Sequence, residues 1–296
     1  MKHKGFSVML VFLLTSTCLS VVKSQSFETL VDAYIDDNAA AYLQPLADLV
    51  SANINTGIRE WSRVDSNFHI RIGVITMASF PSKSMRTFMG KTGLGFEPEQ
   101  EATVPTIVGK NEAVAVEGVN GTFFVFPVGY NVRQLPLAVP QITLCGIFNT
   151  ELSGRYFAFD LNNDFGKVDY LGFGLRHGLN AYFKTLPFDL SLGYYYQKFN
   201  VGSYMQGQNQ LISAYLGKSG KWWSSQISLA YQTSKTKFQY SFNEENNQKT
   251  YTVDVKGKYP VLVELSAALK LWLVNLHAAV SYNGPVTVSL GLGIKL

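Results

Sequence analysis

Two short stretches of this sequence carry residue types that could do chemistry, but neither has the complete spacing of a motif. Gly90-Lys91-Thr92 ends like a phosphate-binding loop, yet Met85 stands where that motif requires its first glycine. Ser234 and Lys237 fit the Ser-x-x-Lys pattern of some acyl-transfer enzymes, which is so loose that a turn at a strand end explains it better. The sequence therefore predicts no nucleotide site and no acyl-transfer site.

Metal ligation and general acid–base chemistry are supported no better. The segment from Asp160 to Gly166 begins like a calcium loop, but its glycine comes one place late and the closing glutamate is missing. A hairpin turn explains it better, and weak calcium binding stays open. His69, His177 and His277 stand singly, without the spacing of metal ligands, and no nucleophile is placed beside a base. We predict that the protein is not an enzyme and holds no metal or cofactor.

The C-terminal residues show the pattern that organises the chain. Every even position from Val286 to Leu296 is apolar, and the odd positions between them are Thr, Ser, Gly, Gly and Lys. Such alternation is typical of a strand with one apolar and one polar face. A strand this long exceeds the five or six residues usual in soluble sheets and matches the roughly 9–11 residues that cross a bilayer at a tilt.

The same alternation selects a set of polar side chains that would point into a barrel. Charges inside a membrane protein are costly unless they line water or pair with one another. The set therefore either lines a solute path or fills a closed, salt-bridged interior, and the sequence leaves both open. The lumen-facing candidates are His69, Arg71, Asp160, Arg176, Glu264, Lys270, Asn275 and His277.

Composition agrees with a membrane barrel more than with a soluble β-sandwich, which is the alternative. The chain is 47% hydrophobic, 14% aromatic and 16% charged, well below the roughly 25% charged residues of soluble domains. No apolar run of about 18 residues follows the N-terminal region, so no transmembrane helix is predicted. Dispersed apolar residues with few charges are expected of an outer-membrane barrel, whose strands alternate.

Residues 1–24 resemble a secretory signal peptide, with a basic start, an apolar core from Phe6 to Leu19 and small residues before Gln25. Cleavage would remove Cys18 and leave Cys145 alone, so no internal disulfide is expected. It would also remove three lysines from a formal net charge of +4, which leaves +1. A nearly neutral chain argues against nucleic acid as a partner. We expect export to the outer membrane of a Gram-negative cell.

Residues 25–65 are predicted to form an N-terminal helical segment. Apolar residues recur at helical spacing around Leu43, Leu46 and Ile54, Pro45 should kink or delay the helix, and Gly57 should end it. Residues 36–38 could cap its second part. In a barrel this segment either plugs the lumen or covers the periplasmic mouth, and we favour the mouth-covering position.

Residues 66–296 are predicted to form the barrel. Residues 79–140 interrupt the pattern, hide a hairpin at 113–126, and either enter the lumen or stay outside. We predict a closed antiparallel transmembrane β-barrel of about 12 strands, or 14 with the hairpin. The expected strands are 66–78, 141–149, 152–161, 167–178, 188–199, 206–216, 221–233, 236–242, 249–257, 260–271, 273–282 and 285–296.

Short motifs along the chain resemble a family of uncharacterised outer-membrane proteins of Gram-negative bacteria. They include Thr150-Glu151-Leu152, Arg155-Tyr156, Gly174-Leu175-Arg176-His177 and Leu186-Pro187-Phe188-Asp189. The layout is also distantly similar to long-chain fatty-acid transporter barrels, which have fourteen strands and an N-terminal hatch. This chain is shorter than those, and it ends in Leu296, where barrel-assembly signals usually place an aromatic residue. The resemblance assigns no functional residues.

We therefore expect a barrel that passes or binds small solutes, hydrophobic ones included. The expected partners are outer-membrane lipid, such a solute and the barrel-assembly machinery. The alternative is a structural or adhesive barrel with a filled lumen and no transport. A third hypothesis, an enzyme on a barrel scaffold, lacks any supporting motif.

Overall fold

The computed structural model describes residues 36–93, 96–160, 166–183, 185–244 and 247–296. The predicted signal peptide, the start of the helical segment and the turn after Asp160 lie outside these ranges. In chain order the elements are α1 (Asp36–Asn55), β1 (His69–Phe80), β2 (Thr87–Lys91), β3 (Glu101–Pro105), β4 (Val114–Glu117), β5 (Phe123–Phe126), β6 (Leu135–Ile147), β7 (Thr150–Asp160), β8 (Lys167–Gly178), β9 (Asp189–Val201), β10 (Met205–Ser219), β11 (Trp223–Glu244), β12 (Asn247–Lys256), β13 (Val261–Leu271), β14 (Val274–Tyr282) and β15 (Val286–Lys295). No helix in the described part of the chain is both long and apolar enough to span a membrane.

Ten antiparallel strands close into a barrel, in the order β1, β6, β7, β8, β9, β10, β11, β13, β14, β15 and back to β1. Closure rests on β1, which pairs with β6 on one side and with β15 on the other. The pairing of β10 with β11 completes the ring. Every barrel strand thus has two neighbouring strands, so the sheet closes on itself instead of ending in two edge strands.

The predicted count of 12 or 14 strands is wrong for three reasons. Residues 221–233 and 236–242 belong to one 22-residue strand, β11. The expected strand 249–257 is β12, which pairs only with the second half of β11, outside the ring. The hairpin at 113–126 exists as β4 and β5 but forms a separate two-stranded sheet. The false break in β11 was predicted because both faces are polar from Thr233 to Lys237, after the exposed apolar residues of the outward face end at Tyr231.

The barrel has two different ends. We call the end that carries the 81–134 connection between β1 and β6 the crown end. The opposite end, with the connections after β6, β8, β10 and β13, we call the base end. Hairpins β2–β3 and β4–β5 lie within the crown connection, and Val104, Val108 and Phe126 from it are buried against α1.

Helix α1 starts under the crown. The amide nitrogen of Ile107 donates to the carbonyl of Tyr42, whose hydroxyl donates to the carbonyl of Val128 at 2.8 Å. The helix runs through Pro45 to Asn55, although proline cannot donate the usual backbone hydrogen bond. Gly57 follows with a φ of +64°. A Cβ there would lie 2.5 Å from Ser289 Oγ, so the barrel wall as well as the backbone requires glycine.

The outward face of the barrel is apolar. Along β15, Val286, Val288, Leu290, Leu292 and Ile294 are all exposed, while the residues between them face inward. The predicted alternation is therefore present, with its apolar face on the outside. Exposed apolar surface of this extent is expected where lipid covers the protein.

Replacing Leu290 by arginine is expected to destabilise the barrel in a bilayer by about 2–4 kcal/mol, because the residue lies in the middle of an outward face. The matched variant Val286→Arg, at the first position of β15, should cost about 0–1 kcal/mol. Urea titration of folding in phospholipid vesicles, followed by gel mobility without boiling, measures both. Equal costs would show that water, not lipid, covers this face.

Candidate functional site in the barrel lumen

The chain from Asn53 to Trp61 lies inside the ring of strands. Asn53 Nδ2 donates to the carbonyl of Leu135 on β6 at 2.7 Å, and Asn55 Nδ2 donates to Gln232 Oε1 on β11 at 2.8 Å. The contacts continue around the ring. The hydroxyl of Thr56 lies 2.5 Å from that of Ser281 on β14, and the Ile58 carbonyl accepts from Gln141 on β6. Strands on opposite sides contact one short segment, so the segment occupies the lumen rather than covering a mouth. We call residues 36–65 the plug.

A buried ion pair joins the plug to β13. Arg59 Nη2 lies 2.6 Å from Glu264 Oε1, and both side chains are almost fully buried. Glu264 Oε2 also accepts a hydrogen bond of 2.9 Å from the amide of Gly57. The Arg59 guanidinium lies 4.1 Å from the centre of the Tyr215 ring. Arg59 is therefore held by a charge on one side and an aromatic face on another.

Glu151 on β7 forms a second ionic node within the wall. It pairs with Arg71 on β1 at 2.6 Å and with Arg176 on β8 at 3.0 Å. Arg176 also donates to the carbonyl of Trp61 in the plug at 2.8 Å. Two guanidinium groups thus share one carboxylate, and one of them, that of Arg176, also contacts the plug.

Arg155 on β7 stabilises the end of α1. It donates to the carbonyls of Ile54 at 3.1 Å and Gly57 at 2.8 Å, and to Gln141 Oε1 at 2.8 Å. The last carbonyls of a helix lack partners within the helix and carry partial negative charge, so an arginine there is favourable.

The structure places most of the sequence-predicted lumen residues inside the barrel. His69, Arg71, Arg176, Glu264, Asn275 and His277 are buried. Lys270 is half-buried at the base end. Asp160 differs, because it lies an odd number of residues from the inward-facing Glu151 and Arg155 and so falls on the opposite face of β7, where it is exposed at the crown end.

Sequence reasoning missed Arg59, Glu151 and Arg155. Arg59 lies in no strand, so alternation could not select it. The strand predicted at 152–161 began one residue after Glu151, whereas β7 begins at Thr150. With that start, alternation places Glu151 and Arg155 on the inward face. The sequence therefore contained the pattern that would have identified both residues.

The crown half of the lumen is apolar, unlike the charged base half. Side chains from seven barrel strands and from β12 pack with α1 into one buried cluster there. We call this part of the interior the apolar chamber. It is lined by Ile75, Met77, Val139, Phe157, Tyr170, Phe199, Met205, Phe238 and Val253.

The wall beside the apolar chamber is incompletely paired. Strands β6 and β7 pair from Ile147↔Thr150 up to Gln141↔Arg155 and no further. Beyond that point, residues 135–140 pair with β1 and residues 156–160 pair with β8, but not with each other. Pro136 and Pro140 contribute no amide donors to this stretch. We call the unpaired stretch the β6–β7 seam.

The base end contains an open cavity of about 410 Å³. Two further cavities in the described lumen are about 10 Å³ each, room for about one water molecule. Asp65 lies in the base cavity. Burial raises the pKa of its carboxyl, but the hydrogen bond and charge of Lys295, with the charges of His69 and Arg71, bring this pKa below its ordinary value. No cluster of metal ligands occurs among the described residues.

These features define a closed β-barrel with an apolar exterior, a lumen that is apolar at one end and charged at the other, and a plug built from its own N-terminal region. The chain belongs to the family of unknown function DUF6588, which matches residues 1–296. This membership confirms the resemblance to an uncharacterised family. No curated protein matches the chain.

Three solved barrels illustrate what the chain is similar to. The N-terminal β-barrel domain of Pseudomonas aeruginosa OprF is 14% identical, with 50% of this chain and 94% of that chain covered and a TM-score of 0.26. Yersinia pestis Ail, in complex with the heparin analogue sucrose octasulfate, is 11% identical, with coverages of 77% and 97% and a TM-score of 0.24.

The Ralstonia pickettii toluene transporter TbuX is 9% identical, with coverages of 87% and 92% and a TM-score of 0.23. These identities and TM-scores are too low to carry an argument, so the barrel rests on its own strand pairing. None of the three is a long-chain fatty-acid transporter by its description, and that more distant resemblance stays a prediction.

Proposed function

We propose that this protein is an outer-membrane β-barrel that admits small hydrophobic solutes to its apolar chamber. Its exterior supports the location, because apolar side chains such as Ile227, Leu265 and Leu290 are exposed where lipid would cover them. Export through a signal peptide at residues 1–24 belongs to this proposal. So do outer-membrane lipid and the barrel-assembly machinery as partners.

The β6–β7 seam is the observation that carries the proposal. In a fully paired barrel the backbone hydrogen bonds seal the wall against lateral entry. Here the ladder stops where the interior changes from charged to apolar, at Gln141 and Arg155. Phe157, beside the seam, stacks on Tyr170 inside and on Phe159 near the rim. A solute dissolved in lipid would therefore meet aromatic surface on its way inward.

Helix α1 occupies the apolar chamber, so a solute can be accommodated only if the helix shifts. Much of its packing in the chamber is non-directional contact through residues such as Leu43, Ala47 and Leu49, which a hydrophobic solute could replace. The plug is then a gate, and the crown connection above α1 keeps the chamber separated from the outside.

A disulfide across the seam tests this route. Continuing the observed register would place Ala138 opposite Ala158. In a Cys145→Ser background, oxidation of A138C/A158C is expected to slow entry of a fluorescent naphthylamine probe from detergent or nanodiscs by at least about tenfold, the effect of 1.4 kcal/mol on a barrier. Reduction should restore entry, which stopped-flow fluorescence follows.

The matched control is T76C/A138C, which shares Ala138 but joins β6 to its paired neighbour β1. It should leave probe entry unchanged. Equal slowing by both disulfides, or none by the seam disulfide once mass spectrometry shows that it has formed, would overturn the lateral route.

The second candidate function is a structural barrel with a filled lumen, the alternative raised by the sequence. The ion pair of Arg59 with Glu264 favours it, because a plug held by buried charges resists displacement. Absence of any saturable probe binding to the unmodified protein would favour this function over solute entry.

A further inference from the structure

We propose that the base cavity is a binding site for a small phosphorylated anion. The cavity measures about 410 Å³, the volume of a small-molecule site. It lies at the end opposite the apolar chamber, between the last residues of the plug and the base ends of five barrel strands. The charged residues of its lining are Arg63, Asp65, Arg71, Lys221, Lys270 and Lys295.

The charge of this lining is strongly one-sided. Five lysines and arginines face a single carboxylate, Asp65. Asp65 is already engaged by Lys295 at 3.0 Å and by His69 at 3.3 Å. Cations crowded around one cavity repel one another, and this repulsion is relieved when an anion enters.

Three of the cations have no acidic partner in the described part of the chain: Arg63, Lys221 and Lys270. They come from the plug, the β10–β11 connection and the end of β13, so they approach the cavity from different sides. Arginine offers a planar pair of donors and lysine a compact charge, a combination that suits a phosphate group.

Asn275 gives a second, independent indication of a ligand. Its side chain is 6% exposed and lines the cavity, directly across the β13–β14 pair from Lys270. None of the described residues hydrogen-bonds to its amide. The amide faces the open cavity, where it offers a ligand one acceptor and two donors that no described side chain uses.

The base end has short connections after β6, β10 and β13, and in outer-membrane barrels short turns face the periplasm. Two sources of the same phosphate chemistry are available on that side. One is a soluble phosphomonoester, and the other is the headgroup of an anionic phospholipid in the inner leaflet. The volume admits either a sugar-phosphate-sized molecule or a single headgroup.

Calorimetry on the full-length protein in phosphatidylcholine nanodiscs tests the proposal, with glucose 6-phosphate as the probe and glucose as the neutral counterpart. We expect saturable binding of glucose 6-phosphate and no saturable binding of glucose. In a second arm, nanodiscs that contain phosphatidylglycerol should weaken this binding if the lipid headgroup occupies the cavity, and leave it unchanged if only soluble esters do. Either outcome of the second arm supports the site and identifies which of the two sources supplies the phosphate group.

The double variant Lys221→Gln/Lys270→Gln should weaken binding at least about tenfold, which corresponds to 1.4 kcal/mol. Both side chains are exposed or half-buried, so folding should survive, and gel mobility without boiling checks this. The control Lys91→Gln/Lys110→Gln removes the same charge from exposed lysines of the crown connection and should leave binding unchanged.

Equal weakening of binding by both double variants would show that binding depends on net charge and not on this cavity, and would overturn the proposal. Absence of binding in every arm would overturn it as well. The naphthylamine assay concerns the opposite half of the lumen, so the two proposals can fail separately.

Discussion

Oxidised T56C/S281C protein is expected to take up the naphthylamine probe at least about ten times more slowly than the reduced form, a difference of 1.4 kcal/mol in the barrier. The hydroxyl oxygens of Thr56 and Ser281 lie 2.5 Å apart, close to the roughly 2.0 Å length of an S–S bond. The cross-link ties the chain just after α1 to β14. If α1 must shift to vacate the apolar chamber, this tie prevents it.

The control for this lock is S79C/T287C. The two hydroxyl oxygens are 2.7 Å apart and belong to paired positions of β1 and β15, so the disulfide joins two wall strands without including the plug. Ser79 also donates to Asn53, so the control removes one contact to the plug as well. Probe uptake should persist in it. If uptake survives oxidation of both variants, the plug is not the gate.

Glu264→Gln is expected to lower the free energy of unfolding by about 3–5 kcal/mol, because it leaves the buried Arg59 without a counter-charge. The amide side chain keeps the size of glutamate. The loss of stability therefore comes from the missing negative charge and not from a cavity left by a smaller side chain. Urea unfolding in detergent micelles, followed by tryptophan fluorescence, measures the change.

Two further variants are compared with Glu264→Gln. Glu101→Gln removes one partner of the exposed pair with Lys91 and should cost under about 1 kcal/mol. The double variant Arg59→Met/Glu264→Met removes both buried charges and should recover most of the stability, since apolar replacements of similar volume often match a buried ion pair. A small cost for Glu264→Gln, equal to that of Glu101→Gln, would mean that water already solvates Arg59.

The strands were predictable because alternation is a local property. The strand expected at 167–178 has the bounds of β8. β13 and β14 differ from prediction by one residue at one end, and β15 differs by one residue at each end. β6 was missed in part because Pro136 and Pro140 broke the pattern that identifies strands. Those prolines are accommodated in the half of β6 that has β1 as its only partner, and no residue pattern indicates which partner a strand lacks.

The candidate site was predictable only as a list of side chains. Alternation selected Arg71, Arg176 and Glu264 as polar residues on inward faces, but it could not say which charges meet. Glu264 pairs with Arg59, which is 205 positions away in the chain and lies in no strand. The division of the lumen into an apolar and a charged half was likewise hidden, since it appears only when many strands are aligned side by side.

By itself the sequence determined that this chain forms long strands with one apolar face, because side chains of successive residues point to opposite sides of a strand wherever it lies. It also determined a helix around Leu43 to Ile54, from spacing alone. Only the tertiary structure decided that ten strands close the ring, that the helix enters it, and that the wall is unpaired beside the apolar chamber. These depend on register and on contacts between distant segments, which arise from how all strands fit together and are not encoded in any single stretch.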